Sequence, residues 1–325
     1  MGREKIYGIS LCRLLAVVLI VACHILQQGD NPLCQAFNIG VPMFLFLSGY
    51  LYGGKDVGSP LGFWAARARR ILIPYYLLLA VTVAADWSVG VAVGGKELLV
   101  SLLCGQMFFD GVPMSGHLWF VTCILLCYLI TPLLQKLRTR LAGGTMLVKA
   151  VAFAAVALAG TAVIYLIVGG YTLYIGAYML GYFLAALRVA ECKWYRAVRC
   201  PLAVLAVLAF AAYVVLFGDR QFNQIVPMSV KTAAAAAFCL CFAEQQLHGM
   251  WLRSLLDISD RYSYYIYLGH HLFILGAWSL LAWTPFRAAN IAAALLAVAA
   301  LSFTLEWVTQ RIEARLFSAS RQTHK

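Results

Sequence analysis

Apolar runs of roughly twenty residues, the length that crosses a bilayer as one α-helix, recur along this chain with only short polar breaks between them. In lipid every backbone N–H and C=O must find its partner within the protein, so only helices and closed barrels span it. A barrel would show segments of about ten residues with alternating polarity; these runs are longer and continuous. Of the 325 residues, 63% are hydrophobic and 12% charged, against roughly 45–50% and about 25% in a soluble domain. The expectation is an all-α polytopic integral membrane protein with about ten transmembrane helices. It forms a single transmembrane domain over residues 1–325, without a separate soluble domain.

Read by length, the spans run Tyr7–Gln27, Ala36–Gly53, Ile71–Val93, Leu118–Leu137, Leu147–Val168, Tyr171–Leu187, Pro201–Gly218, Pro227–Leu247, Tyr262–Trp283 and Phe286–Ile312, with Gly169-Gly170 breaking the fifth from the sixth. Lys96–Phe109 is shorter and amphipathic, and reads as an interfacial or re-entrant piece. Lys and Arg concentrate in cytoplasmic loops. With the N-terminus inside, the inner segments hold 20 of them: Arg3 and Lys5, then the clusters after spans 2, 4, 6 and 8, and the C-terminal end from Arg311 to Lys325. Lys96, Arg220, Lys231 and Arg287 are the 4 at or near the outside, and Arg13 lies within the first span. This asymmetry predicts both termini in the cytoplasm. It also accounts for the net charge of +12 by topology and anionic lipid, with no nucleic-acid partner.

The first span follows two basic residues but has no small-residue cleavage site between Gln27 and Pro32, so it reads as a retained helix. No P-loop or Rossmann glycine pattern occurs, which argues against an ATP-driven pump. Six of the ten cysteines (Cys12, Cys23, Cys123, Cys127, Cys239, Cys241) fall in spans, where free cysteine behaves as a small apolar residue. Cys34 and Cys104 are both expected outside, and their pairing stays open.

Ionisable residues inside spans mark functional candidates. Arg13 and His24 share the first span eleven positions apart, which on a helix puts them on one face about 16 Å apart. A cation below and an imidazole above suggest the wall of a polar conduit. Arg13 also fits snorkelling to the headgroups, and His24 fits an interfacial histidine. Arg67 and Arg70 fall on one helical face and suit bidentate grip of phosphate, although alone they fit a stop-transfer cluster better. His117, Trp119, His270, His271, Glu306 and Glu313 are weaker candidates. The adjacent histidines diverge on a helix, so at most one of them is expected to line a site.

Several segments in order resemble the bacterial acyltransferase-3 membrane proteins. They are Arg13-x10-His24, the run Gly40 to Tyr50, Arg67-x-x-Arg70 followed by Pro74, His117-Leu118-Trp119-Phe120 with Tyr128 and Pro132, and Tyr267-Leu268-Gly269-His270. One departure is Ser10, where that family usually has Asp. The resemblance implies a multi-pass protein of the bacterial cytoplasmic membrane. Its activity would move an acyl group, often acetyl, from cytoplasmic acyl-CoA to a hydroxyl of a cell-surface glycan or lipid-linked saccharide. Arg13, Arg67 and Arg70 would hold the CoA phosphates. His24 would serve as general base or as a transient acyl carrier. Acyl-CoA enters as a substrate; no permanently bound cofactor and no metal is indicated. A secondary transporter with Arg13 and His24 along its pathway, or a non-catalytic sensor or scaffold, are the readings from other classes.

Overall fold

The computed structural model describes residues 5–169, 173–217 and 225–317. Arg3, Gly170, Tyr171, Gly218, Arg220, Arg321 and Lys325, which entered the span and charge expectations, lie outside these. Every described element is helical: α1 Tyr7–Gln28, α2 Cys34–Phe37, α3 Gly40–Gly53, α4 Pro60–Ser88, α5 Gly95–Leu102, α6 Trp119–Arg140, α7 Met146–Val168, α8 Leu173–Ala186, α9 Lys193–Phe217, α10 Ile225–Phe242, α11 Met250–Ile274 and α12 Arg287–Phe317. Among the described residues, 8 helical segments are long and apolar enough to cross a membrane. The shorter apolar α8 and the charged α11 are not among them; the first turns of α11 carry Arg253, Asp257, Asp260 and Arg261.

Several boundaries differ from the sequence expectation for local reasons. The second span divides into α2 and α3 at Asn38-Ile39. Pro42 has no N–H for the Asn38 carbonyl, and Val41 N–H supplies a tighter bond to it at 3.2 Å. By contrast α4 runs through Pro74 and α9 through Pro201, each giving up one backbone bond. As a result Arg67 and Arg70 lie inside a helix, not in the loop before one, and α9 begins at Lys193. α11 begins at Met250 and stops at Ile274, well short of Trp283. The chain from there to α12 is folded by Asn290, whose Nδ2 donates to the carbonyls of Leu281 (3.0 Å) and Thr284 (2.7 Å) while its Oδ1 accepts the Thr284 N–H at 3.0 Å. Lys231, counted near the outer surface, is fully buried within α10, which takes one charge from the smaller side of the count.

The chain forms two compact units, Met1–Ala65 with Phe120–Asp260, and Ala66–Trp119 with Arg261–Lys325. In the first, α3 is the central helix, packed against α1, α8 and α10, with Phe46, Tyr178 and Tyr182 fully buried. α3 and α8 approach backbone to backbone. A Cβ on Gly49 or Gly53 would collide with the carbonyls of Tyr178 and Tyr182, and one on Gly181 with that of Phe46. Small residues allow this approach, which replaces the missing hydrophobic drive between helices in lipid. The loop after α3 is tied to the end of α6: Asp56 accepts from Gly58 N–H (2.9 Å) and Gln135 Nε2 (2.6 Å), Gln135 Oε1 accepts from Val57 N–H (2.8 Å), and Arg138 donates to the Gly53 carbonyl (2.8 Å).

In the second unit α5 is the helical part of the segment expected to lie at an interface. Its last carbonyls would be left over at the helix end, and two tyrosines of α4 satisfy them: Tyr75 O–H donates to Ser101 O at 2.6 Å and Tyr76 O–H to Leu102 O at 2.8 Å. Tyr264 on α11 donates to the Ile71 carbonyl of α4 at 3.1 Å. Arg261 pairs with Glu306 at 2.7 Å, so the carboxylate embedded in α12 is half of an ion pair within this unit. Among the described residues no cysteine is part of a disulfide.

Candidate active site

The N-terminal turns of α1 carry a charged cluster within the first unit. Asp260 Oδ1 accepts from Arg13 Nη1 at 3.0 Å, and its Oδ2 accepts from Ser10 Oγ at 2.6 Å. Lys5 Nζ lies 2.8 Å from Asp260 Oδ2 and 2.5 Å from Asp257 Oδ1. Partial burial disfavours the Lys5 ammonium, but the two carboxylates outweigh it and hold its pKa above the ordinary lysine value.

This cluster forms one wall of a cavity of about 640 Å³ enclosed by the ends of α1, α3 and α8, the residue Glu244 after α10, and Asp260 of α11. Lys5, Arg13, Lys55 and Arg188 face it together with Glu191, Glu244 and Asp260. Arg188 is held by Glu191 one turn away, and Glu244 accepts from Tyr50 O–H at 2.9 Å. A guanidinium has five N–H donors. Asp260 uses one nitrogen of Arg13, and the side chain, which lines the cavity, remains 28% exposed. The site can therefore present several donors to an anionic group without dismantling the ion pair.

His24 lies near the far end of α1, one turn before the exposed residues Gln27, Gln28 and Asp30. Its Nδ1 is 3.0 Å from the Ile20 carbonyl. A carbonyl oxygen only accepts, so Nδ1 carries a proton and donates it there. The half-buried ring is thereby oriented with its other nitrogen away from the helix backbone. The continuous α1 preserves the shared face of Arg13 and His24 and their rise of about 16 Å.

The remaining sequence candidates belong to the second unit. Arg67, half-buried, and Arg70, exposed, are one turn apart on α4. His117 lies in the single turn Gly116–Leu118 before α6, and Trp119 opens α6. His117 Nε2 is 2.9 Å from the Leu268 carbonyl, and Tyr267 O–H donates to the His117 carbonyl. His270 is fully buried, with Nδ1 at 2.6 Å from the Tyr267 carbonyl. Both histidines thus spend an N–H on backbone, in a cluster that fastens the 116–118 turn to α11. The expected divergence of His270 and His271 does not separate them from a common neighbour: the His117 ring stacks on His271 at 4.5 Å and meets His270 edge-on at 5.3 Å. The backbone directions of successive residues differ by about 100°, but His117 lies over α11 within reach of both rings.

Asp260 was not among the residues singled out from the sequence. A signal was present: in a chain with only 13 acidic residues, Asp257 and Asp260 stand three apart on one helical face. Nothing local tied that face to Arg13, 247 positions away.

Long apolar helices, an arginine opening onto a polar cavity and an oriented imidazole on the same helix define a polytopic membrane protein with a chemically equipped first span. The sequence model of a family described as an acyltransferase domain, the acyltransferase-3 family, matches residues 6–310. The chain belongs to this family and is a membrane acyltransferase. No curated protein and no solved structure matches it.

Proposed function

We propose that the protein is an O-acyltransferase that moves an acyl group, acetyl in the first instance, from cytoplasmic acyl-CoA to a hydroxyl of a cell-surface glycan or lipid-linked saccharide. One observation carries this reading: the Arg13 side chain lines a polar cavity of about 640 Å³, and His24, oriented by the bond of its Nδ1 to the Ile20 carbonyl, lies on the same helix face. The donor's phosphates bind at the Arg13 end. The acceptor arrives at the His24 end. His24 Nε2 takes the proton of the acceptor hydroxyl as its oxygen attacks the thioester carbonyl. The C–S bond breaks, and the CoA thiolate leaves and recovers the proton. A transient acyl-His24 is the alternative order of the same events.

In this reading the eight long spans, α8 and α11 make ten crossings of a bacterial plasma membrane. The excess of Lys and Arg places both termini and the cavity mouth in the cytoplasm, and the whole chain acts as one transmembrane domain. The test is ester analysis of surface glycans from cells with and without the gene. Loss of one O-acyl ester, restored by the wild-type gene and not by His24→Ala, is the expected result. An unchanged ester inventory overturns the proposal.

A further inference from the structure

The carboxylate that organises the Arg13 end of the cavity comes from α11, and we propose that Asp260 is a positioning residue of the acyl-donor site, holding the Arg13 guanidinium so that its other donors address the donor's phosphates. This rests on reading the cavity as the acyl-CoA site.

Asp260 does more than neutralise a charge. Its two oxygens take different partners, Arg13 Nη1 on Oδ1 and Ser10 Oγ on Oδ2. Ser10 and Arg13 are three apart, so one carboxylate grips α1 at two points a single turn apart on one face. A long arginine side chain otherwise samples many rotamers, and each donor it offers to a ligand must first be ordered. The Asp260 side chain is only 14% exposed, while Arg13 stays open to the cavity through the nitrogens that Asp260 does not use. With Asp257 also on Lys5 the cluster of Lys5, Arg13, Asp257 and Asp260 is neutral, so the attraction for phosphate comes from donors aimed at the cavity and not from a net charge. An asparagine would keep one acceptor oxygen, lose the charge and release either Ser10 or Arg13.

The experiment is titration of purified, lipid-reconstituted protein with acetyl-CoA, alongside thermal unfolding of each variant. Asp260→Asn should weaken acetyl-CoA binding by roughly tenfold, the scale of one charge-assisted hydrogen bond. Ser10→Asp combined with Asp260→Asn restores a carboxylate one turn before Arg13 on the same face, and should recover affinity to within about threefold of wild type. A merely structural ion pair would not show this recovery. If Asp260→Asn folds poorly, Asp260→Glu keeps the charge, displaces it by one methylene, and should show an intermediate affinity. Arg13→Gln separates the two ideas. If Arg13→Gln weakens binding but Asp260→Asn does not, the positioning role is wrong and the donor site stands. If the Ser10→Asp, Asp260→Asn protein regains thermal stability without regaining affinity, the role is likewise refuted. If Arg13→Gln leaves affinity unchanged, the donor-site reading itself falls, and this proposal with it.

Discussion

Arg13 and His24 differ in chemistry and in place. Arg13 is a cation lining a cavity, and His24 is an imidazole that can take a proton near neutral pH. The two should therefore fail differently when replaced. His24→Gln retains polarity but cannot take a proton at neutral pH, so transfer should fall by about 10²–10⁴-fold, the range of a lost general base, with acetyl-CoA binding nearly intact. Arg13→Gln should weaken donor binding by roughly ten- to a hundredfold, as expected for losing a hydrogen bond to a charged group of about 1.5–3 kcal/mol, and retain turnover at saturating donor. Binding titrations and transfer rates on reconstituted protein check both. Near wild-type transfer in His24→Gln would move the chemistry away from α1. His117 and His270 each also bond a backbone carbonyl, as His24 does, and differ from it in being buried within a packed cluster.

Two features of element packing carry predictions. The first is the close approach of α3 and α8. Gly181→Leu must push Phe46 backbone away, and overpacking of this kind costs about 1–3 kcal/mol or more. The expected result is a clear drop in Tm of the detergent-solubilised protein, whereas Gly143→Ala, in the open turn after α6 with no neighbour near an added Cβ, should leave Tm unchanged. The second is the loop between α3 and α4. The Gly58 backbone N–H and the Gln135 carboxamide hold the Asp56 carboxyl below its ordinary pKa. A depressed carboxylate contributes order above its unfolded pKa of about 3.9 and loses it as pH falls through the lower folded value. Acid proteolysis between residues 54 and 59 should rise across that window in wild type. Asp56→Asn should show no such pH step; a matching step in that variant would assign the opening to another group.

At the scale of the whole molecule, the testable property is orientation. In a cysteine-free background, a thiol at Gly143 should react only with membrane-permeant reagent in intact cells, and one at Asp110 should react with impermeant reagent as well. Both positions are open to solvent in the fold, Asp110 beyond α5 and Gly143 in the turn before α7. Outside accessibility at Gly143 would invert the proposed topology. The charge count that motivates this survives the burial of Lys231, since it removes a residue from the minority side.

Membrane helices were legible in the sequence because the bilayer imposes a length and a polarity that a run of residues either meets or does not. The same logic makes the shared face of Arg13 and His24 a matter of local geometry, and family membership follows from motifs in order. Helix ends were less legible where prolines decide them, because a missing N–H splits the second span at Asn38 and is tolerated in α4 and α9. The partners of the charged groups were not legible at all. Asp260 meets Arg13, Glu306 meets Arg261 and Asn290 folds the segment before α12, and of these the two ion pairs join residues far apart in the chain. A helical period says which way a side chain points, but only the packing of one helix against another brings a carboxylate to it.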